Sequence, residues 1–151
     1  MPSSYPAVMP APDPKPYVLF PGIAREALTW YQEVFGGELE LFTYAQFSRS
    51  DGPADAIAHG ALEGPVTLFG ADAGPDEDGF SSTGLMFALL GTAAPDVLRT
   101  WFAALAEGGR VVDPLSERPW HAWDGQVRDR FGLTWLLGWE PAAEDRGRRT
   151  G

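Results

Sequence analysis

Val127-Arg128-Asp129-Arg130-Phe131-Gly132-Leu133-Thr134-Trp135 is the stretch from which the fold can be read. Asp129 to Gly132 reads as a tight turn between two strand-like runs. An aspartate there accepts backbone N–H bonds from the residues that follow it, and Gly132 takes φ > 0 without a Cβ clash. The segment therefore predicts a hairpin of Ala122–Arg128 with Leu133–Trp139. Upstream, Val97, Leu98, Trp101, Phe102, Leu105 and Ala106 recur at helical spacing behind Pro95, and Gly108-Gly109 stops that helix. Leu85–Leu90 before it and Arg110–Val112 after it read as strands.

The same order occurs once already. Tyr17–Phe20 is a short strand ended by Pro21-Gly22. Ala24, Ala27, Leu28, Tyr31, Val34 and Phe35 then mark a helix closed by Gly36-Gly37. Strands follow over Glu38–Gln46, Ala56–Leu62 and Val66–Phe69, the last two joined as a hairpin through Glu63-Gly64-Pro65. The expectation is an α+β fold of two β-α-β-β-β modules, about residues 17–72 and 84–139, within one domain spanning 17–139. The two modules form a curved mixed sheet around a central cavity, with the helices on the outer face. Residues 1–16 hold Pro2, Pro6, Pro10, Pro12, Pro14 and Pro16 and read as an extended arm, and 140–151 as a polar tail.

Composition narrows the function. The chain has 151 residues, 44% of them apolar, and a net charge of −10 from 21 acidic and 11 basic residues. No basic stripe follows a phosphate backbone, so neither nucleic acid nor an anionic membrane surface is expected as a partner. With no cysteine there is no disulfide framework, thiolate nucleophile or Cys-ligated metal. No run is long enough to span a membrane and no signal peptide is visible, so the expected location is cytoplasmic.

Several segments together carry a resemblance. Tyr17-Val-Leu-Phe-Pro-Gly runs on through the helix to Gly37, followed by Ile57-Ala-His-Gly-Ala-Leu62, Leu105-Ala-Glu-Gly-Gly109, Trp120 and Asp129-Arg-Phe-Gly-Leu-Thr-Trp135. Over roughly residues 17–139 the chain resembles the PhnB-like branch of the vicinal oxygen chelate superfamily, the group of glyoxalase I, extradiol dioxygenases and bleomycin-resistance proteins. The resemblance implies the paired-module fold, a homodimer and a small-molecule ligand in the sheet cavity. It also implies that catalytic members hold a divalent metal through His, Glu or Gln from matching strands. Alignment puts those positions within Tyr17–Phe20 and near Gly70, Leu85 and Leu136, where this chain offers no such side chain. The expectation is no cofactor and no metal ligand, a divalent metal being the alternative. Labels of PhnB-like sequences as ubiquinone-pathway methyltransferases find no support, because the chain lacks a glycine-rich strand-to-helix loop for a nucleotide-like cofactor.

Candidate site residues follow from chemistry. His59, in a strand beside Gly60, reads as a general base or single metal ligand facing the cavity, or else as a hydrogen-bonded structural histidine. Trp120, His121 and Trp123 sit in an aromatic loop that either clamps a flat ligand or plugs the sheet. Tyr44 shares strand parity with Phe42, so both face inward or both outward. Trp135 completes the expected ligand-binding set of Tyr44, His59, Trp120, His121, Trp123 and Trp135, with His59 the one catalytic candidate. Asp129 reads as the turn's anchor and the acidic loop of Asp72, Asp76, Glu77 and Asp78 as solvated, since it lacks the EF-hand pattern. Three functions compete: metal-free binding of a small aromatic or apolar molecule, a metal-dependent lyase, isomerase or dioxygenase, and a metal-independent enzyme with His59 as base. The first accounts best for the missing ligands; whether the chain is an enzyme stays open.

Overall fold

The computed structural model describes residues 13–142, so most of the proline-rich arm and of the polar tail lies outside the described residues. The chain order is β1 (Tyr17–Phe20), α1 (Ala24–Phe35), β2 (Glu38–Thr43), β3 (Ile57–Glu63), β4 (Leu68–Asp72), β5 (Phe87–Leu90), α2 (Pro95–Ala106), β6 (Arg110–Glu117), β7 (Trp123–Arg128) and β8 (Thr134–Trp139). Two β-α-β-β-β modules are therefore present. Each builds its own four-stranded sheet, ordered β1-β4-β3-β2 and β5-β8-β7-β6, with the outer pairs β1–β4 and β5–β8 parallel.

Each helix forms because one stripe of it is apolar. Ala24, Ala27, Leu28, Tyr31 and Phe35 are buried on α1, and Leu98, Trp101, Phe102 and Leu105 on α2. Gly36 and Gly37 leave α1 with φ of 79° and 104°. A Cβ on Gly37 would come within 2.6 Å of the Glu63 carbonyl, so glycine also permits the close approach of the β3–β4 turn. Each helix covers one face of its own sheet, and the two helices meet where the Phe35 ring stands edge-on to Trp101 at 5.1 Å.

Among the described residues no strand ladder joins the two sheets. The modules are instead held by helix packing and by one buried carboxylate. Asp129 accepts the Phe131 and Leu133 backbone N–H groups at 2.8 and 3.1 Å through Oδ1. Through Oδ2 it accepts the Trp135 indole N–H at 2.8 Å and the Tyr31 hydroxyl at 2.6 Å. The residue that shapes the β7–β8 turn thus also ties that hairpin to α1 of the other module. Burial, then the adjacent Asp129 charge and hydrogen bond, push the Tyr31 phenol far above its ordinary range.

Strand limits shift in understandable ways. β2 ends at Thr43 rather than Gln46, because the Gln46 amide oxygen accepts the Thr43 N–H at 2.7 Å and turns the chain. β6 runs on to Glu117 through Pro114, which an edge strand with register shifts tolerates.

Candidate functional site

With a helix on one face, strand alternation turns a second set of side chains to the opposite, open face of each sheet. On the first sheet Val18, Phe20, Leu62 and Leu68 go to the core. Tyr17, Phe42, His59 and Phe69 alternate with such core positions and lie on the open face, where the register sets Tyr17 beside Phe69 and Phe42 beside His59. The His59 ring is stacked with Tyr17 at 5.6 Å and Phe42 at 6.3 Å, and Phe69 tilts against it at 5.9 Å. Phe47 stacks in turn on Phe42 at 5.5 Å.

One polar contact organises this patch. Tyr17 Oη lies 3.0 Å from His59 Nδ1. Partial burial, then the negative charge of Glu77, raise the Tyr17 phenol above its ordinary value, so it keeps its proton at neutral pH. Nδ1 is engaged whichever tautomer the imidazole adopts, and Nε2 makes no hydrogen bond to another described residue. The result is one ring nitrogen free among aromatic rings, on a face where Tyr17 is 48% and Phe47 51% exposed.

The other expected site residues lie elsewhere. Trp120 and Trp123 line a cavity of 590 Å³ with Leu90, Pro95, Leu136 and Trp139. Trp123 stacks on Trp139 at 5.6 Å, and the Arg99 guanidinium from α2 lies over both rings. His121 has φ of 71° in a turn closed onto Arg118, and its Nδ1 is 3.1 Å from Glu117 Oε1. Arg118 holds Asp113 and Asp124, which fixes the base of that loop.

Tyr44 does not share the direction of Phe42. The ladder shifts register between Phe42 and Thr43, so Tyr44 turns inward, 2% exposed, under the Arg49 guanidinium at 3.8 Å. It lines a cleft of 540 Å³ at the start of α1, with Arg25, Asp51, Asp55 and Asp72. Trp135 is 1% exposed and spends its N–H on Asp129, which places it in the core. The six residues thus fall in separate places: His59 on the open face, Trp120 and Trp123 with the neighbouring His121 at one end of the second module, Tyr44 in the first-module cleft, and Trp135 inside.

The residues at the superfamily's metal positions do not fit a divalent ion. Tyr17 and Leu19 on β1, Phe69 and Ala71 flanking Gly70, Leu85 and Met86 ahead of β5, and Leu136 offer aromatic, aliphatic or thioether side chains. Asp72 is 8% exposed and both its oxygens are committed, Oδ1 to the Ala24 N–H and Oδ2 to the Ile57 N–H, each at 2.8 Å. No group of three or more His, Cys, Asp or Glu side chains converges among the described residues.

A profile of the glyoxalase/bleomycin resistance protein/dioxygenase superfamily matches residues 14–137. The chain belongs to this superfamily. Protein YjdN of Escherichia coli (strain K12) is 28% identical over 136 residues, covering 81% of this chain and 91% of YjdN. The crystal structure of protein PA1353 from Pseudomonas aeruginosa superposes with a TM-score of 0.72 at 32% identity, over 87% of this chain and 100% of that one. The PhnB protein of Bacillus cereus has the same superfamily fold, with a TM-score of 0.66 at 17% identity over 85% of this chain and 99% of its own. No described helix is long and apolar enough to cross a membrane.

Sequence reasoning picked out His59 but not its setting. In the sequence Tyr17 opens a strand at an aligned metal position and Phe69 ends one, and neither reads as a neighbour of His59. Their alternation with Val18 and Leu68 was the available signal, and it needed the β1–β4 register to become a cluster.

Proposed function

We propose that the protein binds a small, flat aromatic molecule on the open face of its first sheet, working as a cytoplasmic homodimer and without the superfamily's metal. The observation that carries this reading is the His59 ring held by Tyr17 Oη at 3.0 Å among Phe42, Phe47 and Phe69. Aromatic side chains stack on a flat ligand, and one oriented nitrogen fixes its direction by a single hydrogen bond. Half-exposed rings on an open face also favour a cover, which a second copy supplies.

Titration calorimetry with 2-naphthol tests it. Binding to the wild type is expected, with His59→Ala and Phe42→Ala each weakening it by about tenfold. Absence of binding, or binding untouched by both substitutions, overturns the assignment. Dialysis against Zn²⁺, Ni²⁺ and Mn²⁺ followed by elemental analysis is expected to leave no stoichiometric metal. Retained metal that His59→Ala removes would instead favour a metal enzyme.

A second reading has its own observation. A base needs an orienting partner, and Tyr17 Oη is placed as one for His59. In this reading His59 Nε2 takes a proton from carbon beside a carbonyl of the bound aromatic. Solvent deuterium exchange into acetophenone, present in the wild type and lost in His59→Ala, would identify that activity.

A further inference from the structure

The cleft at the start of α1 lies between the β2–β3 loop and the segment after β4, and neither His59 nor the rings around it line any part of it. One peptide group joins its two most buried polar walls. The Tyr44 N–H donates to the Ala56 carbonyl at 2.8 Å, and the N–H of that same Ala56–Ile57 peptide donates to Asp72 Oδ2.

Both side chains keep acceptor capacity that the fold does not use. The Tyr44 ring is covered by Arg49, and Gly52 closes on its edge, where a Cβ would come within 2.8 Å of Cε2. Its hydroxyl makes no hydrogen bond to a described residue. Among the described residues no wholly buried side-chain oxygen lacks a partner. The hydroxyl therefore holds part of the small exposure left to Tyr44, and the cleft is where Tyr44 opens. Asp72 receives one N–H on each oxygen, which leaves a lone pair on each, and no described cation pairs with it. A buried phenol and a buried carboxylate left in this state call for a partner from outside the fold.

Charge selects that partner. Asp51 is spent on Arg49, at 3.0 and 2.8 Å. Glu26, Asp55 and Asp72 line the cleft without an ion pair to a described residue. Against them stands the lining cation Arg25, which reaches the Asp55 carbonyl at 3.5 Å. An anion is disfavoured even at a helix start, because the Asp72 carboxylate already sits there on the Ala24 N–H. A divalent ion is disfavoured too, since these carboxylates do not converge as a ligand group. An ammonium group suits the site: it carries three donors and no acceptor, and it bonds strongly to carboxylate oxygens. The rest of the wall is apolar, with Ile23, Pro53, Ile57, Ala73 and Pro75, and a volume of 540 Å³ matches a small-molecule site.

We propose that this cleft is a second ligand site, separate from the His59 patch, and that it takes a small primary amine with an apolar body. The ammonium donates to Tyr44 Oη and to the spare lone pairs of Asp72. Glu26 and Asp55, both exposed, draw it in from the rim.

Titration calorimetry with benzylamine, a cation at neutral pH, tests this on the full chain at low salt. The wild type is expected to bind it, with benzyl alcohol at least about tenfold weaker and benzoate not bound. Tyr44→Phe removes a hydroxyl that holds nothing in the fold. It is expected to keep the wild-type melting temperature and to weaken benzylamine by about tenfold. The rim variant Glu26→Gln/Asp55→Asn is expected to weaken binding several-fold and to remove most of its salt dependence, while His59→Ala leaves binding unchanged. No binding of benzylamine, or binding no tighter than that of benzyl alcohol, overturns the proposal. Binding untouched by both Tyr44→Phe and the rim variant also overturns it. So does binding that His59→Ala abolishes, which places the amine on the open face instead.

Discussion

The two modules start their helices in different ways. The first backbone N–H of α1, from Ala24, is satisfied by a buried carboxylate: Asp72 Oδ1 accepts it at 2.8 Å while Oδ2 accepts the Ile57 N–H. The first residue of α2 is Pro95, which has no N–H to satisfy. One module supplies an acceptor and the other deletes the donor. The residue in front explains why they do not share a solution. Ala94 is extended, with φ −61° and ψ 150°, the conformation a following proline requires. Ile23 has φ −128° and ψ 21°, which a following proline disfavours. The cost of the first solution is dependence on a buried acid; its gain is that one side chain on β4 ties the start of α1 to the start of β3.

The largest expected effect breaks the junction between the modules. Asp129→Ala leaves two backbone donors, the Trp135 indole and the Tyr31 hydroxyl without their acceptor, and should cost about 4 kcal/mol in urea denaturation. Next comes the helix-start comparison itself. Asp72→Ala should cost about 2 kcal/mol, whereas Pro95→Ala should cost less than about 1 kcal/mol. Ala24→Pro, which carries the second module's solution into the first, should destabilise rather than help, because Ile23 would have to leave its conformation. Equal losses for Asp72→Ala and Pro95→Ala would remove the distinction.

Alkali sharpens it further. Folding raises the Tyr31 pKa, so above the ordinary phenol value of about 10 the unfolded chain binds fewer protons than the native one. The stability contributed by neutral Tyr31 is fully present below that pH and is lost above it, at about 1.4 kcal/mol per pH unit. Denaturation curves at rising alkaline pH should show this slope in the wild type and a shallower one in Tyr31→Phe. The smallest effect is expected from Tyr17→Phe, which should change stability by less than about 0.5 kcal/mol while weakening the hold on His59. Equal stability with altered 2-naphthol binding would separate site from scaffold.

The fold was legible because its signals are local. The apolar stripes of α1 and α2, the glycine pairs behind them and the Asp129–Gly132 turn each lie within a few residues, and their repetition revealed two modules. The site was less legible because it depends on register. Phe42 and Tyr44 have the same parity in sequence, yet a ladder shift at Phe42/Thr43 sends one to the open face and the other inside. Trp135 stood in the expected ligand-binding set, but it is buried with its neighbour Leu133 and its partner Asp129. His59 was visible as a rare residue type; the rings around it come from three other strands, with Phe47 from the loop after β2, and appear only when those strands pair.

The Tyr31–Asp129 bond joins positions 98 residues apart. Closing so long a loop comes late, because its entropy must be met before the contact rewards it. The bond therefore forms only when the last hairpin meets the first helix, and it couples the stability of the two repeats. The module occurs twice, and one shared carboxylate ties the second copy to the helix of the first.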